Sequence, residues 1–260
     1  MKHPKNISLT VLGSGTSSGV PVINCDCVIC TSSNPKNQRL RTSCYIQADG
    51  VCLLIDTSPD LRQQALRYGI KRVDAVLNTH THADHIHGID ELRVFNAHQK
   101  QEIPIYGNKD HLSHLEKMFP YIFNPPKEYP SLTPKLTTEA RTGLFDVKGI
   151  PVQMIPCLHG PAGYTYNYRV GGVAWVTDTN GIPKESKELL QGLDYLFIDG
   201  LRHRPHPTHF HLEKSLKAIE ELKPKKAYLI HLCHDYDHDD MNKQLPKGVE
   251  LAFDGLTVTV

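Results

Sequence analysis

Thr79-His80-Thr81-His82-Ala83-Asp84-His85 places four strong metal ligands, His80, His82, Asp84 and His85, within six residues. On an α-helix these spacings fan out in at least three directions, so no single helical face presents all four to one ion. The run Val73-Asp74-Ala75-Val76-Leu77-Asn78 ahead of them reads as a buried strand, and Ile86-His87-Gly88-Ile89 follows as a helix start. A loop between a strand end and a helix start turns several side chains toward one point. Neutral imidazole and carboxylate together suit Zn²⁺, Mn²⁺ or Fe²⁺.

Outward from this loop, the chain of 260 residues has room for one large α/β domain or two small ones, and is expected to span 1–260 as a single domain. Its 29 Lys and Arg against 28 Asp and Glu give no basic excess, so an extended nucleic acid is not an expected partner. Met1-Lys2-His3-Pro4-Lys5-Asn6 leads straight into an apolar strand without the hydrophobic core of a signal peptide, and no stretch approaches a membrane span. Seven cysteines is an odd number, and Cys25, Cys27 and Cys30 crowd into six residues. That pattern fits a reducing, cytoplasmic setting and a metal hook better than a disulfide framework. One further ligand from elsewhere would close a tetrahedral Zn²⁺ site on the hook.

Several stretches read clearly. Ile7 to Leu12 is a strand leading into Gly13-Ser14-Gly15-Thr16, which lacks the spacing of a phosphate loop and reads as a turn beside the site. Thr42 to Ala48 and Val51 to Ile55 form a hairpin around Asp49-Gly50. Asp56 follows, either as a turn-forming carboxylate or as an acceptor that orients a ligand histidine. Ser58 and Pro59 are expected to start a helix. Lys109 to Phe119 is a helix, with His98, His111 and His114 read as surface residues. The stretch Phe119 to Pro134, rich in proline and aromatic residues, is open to three readings: a lid, a homodimer contact or a stiff connection. Leu212 to Leu222 is an amphipathic helix, and Val249 to Phe253 with Leu256 to Val260 is expected to form a closing hairpin around Asp254-Gly255. His159, Asp178 and His231 each stand at or just past the end of an apolar strand, as the His80–His85 loop does. Loops beyond strand ends are where layered α/β architectures gather ligands.

The H-x-H-x-D-H loop resembles the signature of the metallo-β-lactamase-fold hydrolases. That resemblance implies an α/β four-layer αβ/βα sandwich of two mixed sheets flanked by helices. It implies that His80, His82 and His159 hold one divalent ion, Zn or Mn, that Asp84, His85 and His231 hold a second, and that Asp178 bridges them. A hydroxide shared by the ions would then be the nucleophile, its pKa lowered toward ~7. Two divalent ions, two carboxylates and a hydroxide leave a single positive charge, which a phosphodiester monoanion neutralises and a neutral lactone or thioester does not.

Leu229-Ile230-His231-Leu232-Cys233-His234 supplies a candidate fourth partner for the cysteine hook, His234, with Cys233 as its competitor. The chain is similar to the PhnP-like cyclic phosphodiesterase branch in C-x-C-x-x-C, G-S-G-T, D-x-S-P-D, H-x-H-x-D-H, the late histidine pair and F-D-G. That similarity implies one structural Zn on Cys25, Cys27, Cys30 and His234. It also implies a histidine facing the scissile phosphate, matched by position to His209, with His211 as the alternative; His203 and His206 are auxiliary. The catalytic set is then His209, Asp84 and Asp178, and the substrate a small cyclic or nucleotide-like phosphodiester. Three other readings remain: a tRNA 3′-processing endonuclease, which would carry a basic arm; a lactone or thioester hydrolase; and a non-catalytic metal-binding scaffold.

Overall fold

Alternating burial along the first strand, β1 (Ile7–Gly13), sends Ile7, Leu9 and Val11 toward a second sheet and Leu12 the other way. The computed structural model describes residues 4–126 and 132–260. Sequence residues 127–131, inside the Phe119 to Pro134 stretch, lie outside the described residues.

The first half of the chain adds β2 (Ser43–Ala48), β3 (Val51–Ile55), β4 (Ala75–Leu77), β5 (Ile103–Gly107) and β6 (Leu136–Ala140). The second half builds β7 (Leu144–Val147), β8 (Ile150–Leu158), β9 (Tyr164–Val170), β10 (Val173–Val176), β11 (Tyr195–Asp199), β12 (Lys226–Ile230) and β13 (Val249–Leu251), before β14 (Thr257–Thr259) returns to the first sheet. Two seven-stranded sheets result, ordered β14-β1-β2-β3-β4-β5-β6 and β13-β12-β11-β10-β9-β8-β7. Both repeat one pattern, three antiparallel pairings followed by three parallel ones. In that pattern β3 corresponds to β10, and β4 to β11.

Apolar side chains from both sheets meet between them, including Leu53, Ile55, Leu77, Met154, Tyr168, Trp175 and Phe197. Helices α1 (Leu61–Arg67), α2 (Ala83–Ile86), α3 (Leu92–Gln99), α4 (Lys109–Met118) and α5 (Pro120–Phe123) follow strands of the first sheet. Leu61, Leu92, Leu112 and Ile122 cover its outer face. The second sheet carries α6 (Lys184–Leu189), α7 (Leu212–Leu222) and α8 (His238–Gln244), with Ala218, Ile219, Leu222 and Met241 inward. The layering is therefore helix, sheet, sheet, helix, as the family resemblance implies. Among the described residues, no helix is long and apolar enough to cross a membrane.

Local expectations needed correction at two places. The closing hairpin does not form: β13 pairs with β12 in one sheet and β14 with β1 in the other. The Asp254-Gly255 turn carries the chain across because the Asp254 carboxylate accepts from the Ser14 backbone N–H, the Ser14 hydroxyl and the Leu40 N–H, which ties it to the first sheet. Ser58 does not cap α1, which begins at Leu61; its hydroxyl instead accepts from the Asp60 N–H in the preceding turn and donates to Gln64. The described part of the Phe119 to Pro134 stretch joins the helical layer through Ile122, and Tyr121 donates to Asp90.

Two hydrogen bonds tie the sheets together beside the His80–His85 loop. The Tyr168 hydroxyl donates to the Asn78 carbonyl at 2.6 Å, and the Tyr166 N–H to the Thr79 carbonyl at 2.9 Å. A third tie, at the opposite ends of these strands, is Asp74. Its buried carboxylate accepts from the Cys52 N–H, from Arg72 and from Lys148 in the β7–β8 turn. Burial alone would raise the Asp74 pKa, but Lys148, the Cys52 N–H and Arg72 outweigh it and hold the carboxyl below its ordinary range. A depressed folded-state pKa contributes stability above the unfolded-state value, and that stability is lost as pH falls through the folded one. Asp74→Ala is expected to cost about 2 kcal/mol in urea unfolding at neutral pH, with the difference shrinking as pH falls below the ordinary Asp value of about 3.9. An unchanged midpoint would remove Asp74 from the stabilising contacts.

Candidate active site

Side chains gather where parallel strands of both sheets end. β3 runs into Asp56, β4 into the His80–His85 loop and β10 into Asp178, while β11 ends at Asp199 and β12 runs into His231. Asp56, Asp178 and His231 all have left-handed backbone, with φ of 61°, 50° and 58°. That conformation is costly for a residue with a Cβ and tends to persist where surrounding contacts over-determine it. Here it swings each side chain off its strand direction and into a common space. Asp56 and Asp178 follow corresponding strands of the two halves, so both sheets make the same move.

The resulting cluster has two overlapping sets. His80, His82, His159 and Asp178 form one; Asp84, His85, Asp178 and His231 form the other, with Asp178 common to both. Within the first, His80 Nε2 lies 3.0 Å from His82 Nδ1 and 3.6 Å from Asp178 Oδ2, and His159 Nε2 lies 3.4 Å from His82 Nδ1. Within the second, His85 Nε2 is 3.3 Å from Asp84 Oδ2 and 3.2 Å from Asp178 Oδ1, and His231 Nε2 is 3.5 Å from each of those carboxylates. Ligands about 2.0–2.1 Å from a tetrahedral Zn²⁺ stand about 3.3 Å apart, so these separations suit a shared ion. His82 is the exposed member, which puts the mouth of the site on its side.

The far sides of the rings are held by the protein. Asp56 Oδ2 accepts from His85 Nδ1 at 2.7 Å and from the Thr79 hydroxyl at 2.7 Å, while Oδ1 takes the Thr79 N–H. With its hydrogen given to Asp56, the Thr79 hydroxyl accepts from His80 Nδ1 at 2.9 Å. One carboxylate thus orients a ring in each set, and the orienting reading of Asp56 is the one the contacts favour. His159 Nδ1 donates to the Thr208 carbonyl. Each of these bonds leaves Nε2 with its lone pair facing the cluster. Burial keeps His80 and His159 below the ordinary histidine pKa, as neutral ligands require.

Metal ions fit this arrangement on three observations. His85 Nε2, His231 Nε2 and Asp84 Oδ2 are buried without a hydrogen-bond partner. The side-chain ion-pair partners of Asp56, Asp84, Asp178 and Asp199 among the described residues are all imidazoles, with no Lys or Arg. Buried carboxylates so arranged call for cations. Finally, burial opposes charge on His85, yet Asp178, Asp84 and Asp56 outweigh it and raise its pKa well above the ordinary value, as expected where several carboxylates draw positive charge to one point.

His209 joins the cluster and His211 does not. His209 Nδ1 donates to Asp199 Oδ2 at 2.8 Å, its Nε2 lies 3.9 Å from Asp178 Oδ2, and its ring stacks on His231 at 4.7 Å. Burial acts against its charge, but Asp199 leads the contributions that overcome this, pushing the ring up to about 9. His211 precedes α7 and lies 3.9 Å from Glu213.

The second cluster lies just along the chain. Cys25, Cys27 and Cys30 place their sulfurs 3.3, 3.5 and 3.3 Å from His234 Nδ1, close to the roughly 3.5 Å expected between sulfur and nitrogen ligands of one Zn²⁺. The Cys30 N–H leads the contacts that bring Cys27 down to about 6, while burial pushes Cys30 up to about 11. Cys233 turns away and accepts from the Asp235 N–H. His231 and His234 are separated by Leu232 and Cys233 alone. Leu232 is paired with the glycine-rich turn, its N–H donating to Ser14 and its carbonyl accepting from Thr16. A Cβ on Gly13 would sit 2.0 Å from the Arg41 carbonyl, so that turn is built for close backbone packing.

The surface reading of His111 was wrong. Its half-buried ring stands edge-on to Tyr166 at 5.4 Å, beside the Thr79 carbonyl. It sits on α4 with ordinary helix spacing, and no sequence signal marks it. Asn180 was also missed: it accepts from the Gly160 N–H and donates to the Pro207 carbonyl, joining three loops around His159.

Comparison with known proteins places the chain and its fold. The family model for the β-lactamase superfamily domain matches residues 52–232. The crystal structure of a new diphosphatase from the PhnP family superposes with a TM-score of 0.91 at 43% identity, covering 98% of this chain and 97% of that one. Zn²⁺-bound PqqB from Methylobacterium extorquens shares the fold, with a TM-score of 0.78 at 21% identity over 96% of this chain and 99% of that one. An octanoyltransferase from Porphyromonas gingivalis is 37% identical over 96% of this chain, and the chain spans about half (51%) of that protein's length.

Two outcomes are expected. Asp56→Asn, which keeps an acceptor but loses the charge, and Asp56→Ala should weaken metal binding about 10-fold to 100-fold in chelator competition, with circular dichroism unchanged; equal affinity would mean that Asp56 does not orient the rings. Cys27→Ala should lower zinc by one ion per chain and reduce the melting temperature. Equal zinc in both proteins would show the cysteine hook to be empty.

Proposed function

The chain belongs to the β-lactamase superfamily and, within it, to the PhnP family, and from that premise we propose that it is a dinuclear-metal phosphodiesterase acting on a small cyclic or nucleotide-like phosphodiester. As a hydrolase of the metallo-β-lactamase fold, it needs a site for a phosphoryl group, a water to attack it and a route for the leaving oxygen. The observation that carries the reading is His209, locked at Nδ1 by Asp199 and open at Nε2 toward the cluster.

His80, His82 and His159 would hold one ion, Asp84, His85 and His231 the other, and Asp178 both. When bound, the ions supply positive charge for the phosphoryl oxygens and bring the pKa of water down toward ~7. His209 offers a proton at Nε2 to the leaving oxygen or to a non-bridging oxygen as negative charge builds. Asp199 keeps that ring in one tautomer and stabilises its cation. Thr208 and Asn180 fix the loops around His159, so the groups meet the substrate already oriented. A departing thiolate would need no such donor, which weighs against a thioester. A diphosphate is the second reading, supported by the PhnP-family relative being a diphosphatase.

Hydrolysis of bis(p-nitrophenyl) phosphate with Mn²⁺ or Zn²⁺ tests the proposal. His209→Ala is expected to lower kcat at least tenfold with metal content unchanged. A lactone turned over in preference to every phosphodiester, or an unaltered kcat in His209→Ala, would reject it.

A further inference from the structure

We propose that His206 is a specificity-determining residue, donating a hydrogen bond from Nε2 to a second anionic group that the substrate carries beside its scissile phosphate. The inference rests on the phosphodiesterase reading and deepens it.

Thr208 fixes the tautomer. Its backbone N–H lies 3.3 Å and its hydroxyl 3.1 Å from His206 Nδ1. A backbone N–H only donates, so Nδ1 accepts and the neutral ring carries its hydrogen on Nε2. Among the described residues, that Nε2 has no hydrogen-bond partner. The ring is half-buried, and its centroid lies 5.1 Å from that of His209. A side chain so placed is ordered by the protein on one edge and free to meet a ligand on the other.

The backbone around it is equally constrained. Pro205 and Pro207 flank His206 and fix φ on either side. The Pro207 carbonyl accepts from Asn180, and a Cβ on Gly160 would come within 2.5 Å of that same oxygen. Thr208, which sets the His206 tautomer through its N–H and hydroxyl, also holds His159 through its carbonyl. One residue therefore positions a metal-site ring and the His206 donor relative to each other.

Charge points to the kind of group recognised. Gly200 to His211 contains two arginines, four histidines and no carboxylate. Arg202 is braced by its bonds to the Arg204 and Pro205 carbonyls, and its charge reaches the His206 ring. A phosphodiester with one charge is already matched by the cluster and His209. A further oriented N–H beside an uncompensated cation suits a second negative group, such as the neighbouring phosphate of a diphosphate or a terminal phosphate.

The test compares bis(p-nitrophenyl) phosphate, with one negative charge, and ADP-ribose, whose diphosphate carries a second beside the bond cleaved. In His206→Ala the ratio of kcat/KM for ADP-ribose over the aryl diester should fall at least tenfold, chiefly through KM, with metal content equal to wild type. His206→Gln, which retains an N–H, should recover part of that ratio. An unchanged ratio, whether both rates hold or both fall by the same factor, overturns the inference while leaving the phosphodiesterase reading intact. Wild-type hydrolysis of the aryl diester alone does the same. If the wild type cleaves neither with any metal, the phosphodiesterase reading fails and this inference with it.

Discussion

Asp56 is a carboxylate without contact with water, and the active site is arranged around what it accepts. Three donors converge on it, two from Thr79 and one from His85, and through the Thr79 hydroxyl it also governs His80. Burying such a group without cationic side chains is expensive unless hydrogen bonds and nearby positive charge offset the desolvation. That balance explains why the loop cannot be treated as four independent ligands. The side chains aimed into the cluster and those that hold them from behind form one network, in which loss of Asp56 unpairs several groups together.

The two halves of the molecule share this burden. Each sheet runs through the same order of antiparallel and parallel pairings, and in each the fourth strand of that order, β3 or β10, is followed by an aspartate in left-handed backbone. In the first half that aspartate sits behind the rings; in the second, Asp178 sits among them. Strain of about 1–3 kcal/mol per such residue is sustained because neighbouring contacts leave no alternative. Hydrogen bonds from Tyr166 and Tyr168 to the Asn78–Thr79 backbone then fix the ligand loop of one sheet against a strand of the other. The centre is a property of the sheet pair, and neither half holds a complete set.

Much of this was legible in the sequence because the signals are local. The spacing of His80, His82, Asp84 and His85 rules out a helix face, and the hook of Cys25, Cys27 and Cys30 asks for one distant partner. Strand-end positions for His159, Asp178 and His231 follow from apolar runs that stop at them. What escaped reading depends on the other sheet. Asp254-Gly255 has the composition of a hairpin turn, yet its carboxylate is taken by Ser14 and Leu40, and the strands it joins lie in different layers. His111 looks like any exposed helical histidine until Tyr166 is brought against it. Asp56 had two equal readings, because only the fold decides which donors reach a buried acceptor.

The spacer between His231 and His234 has a further consequence. Leu232 and Cys233 form a rigid rung whose backbone is paired on one side with the glycine-rich turn and on the other with Leu201. It has no slack to absorb an inserted or deleted residue, since a change of one would rotate one imidazole away from its own partners. Backbone register and the aim of the two imidazoles are thus locked together over this rung, so natural variation in chain length is expected to accumulate around it before it touches those two positions.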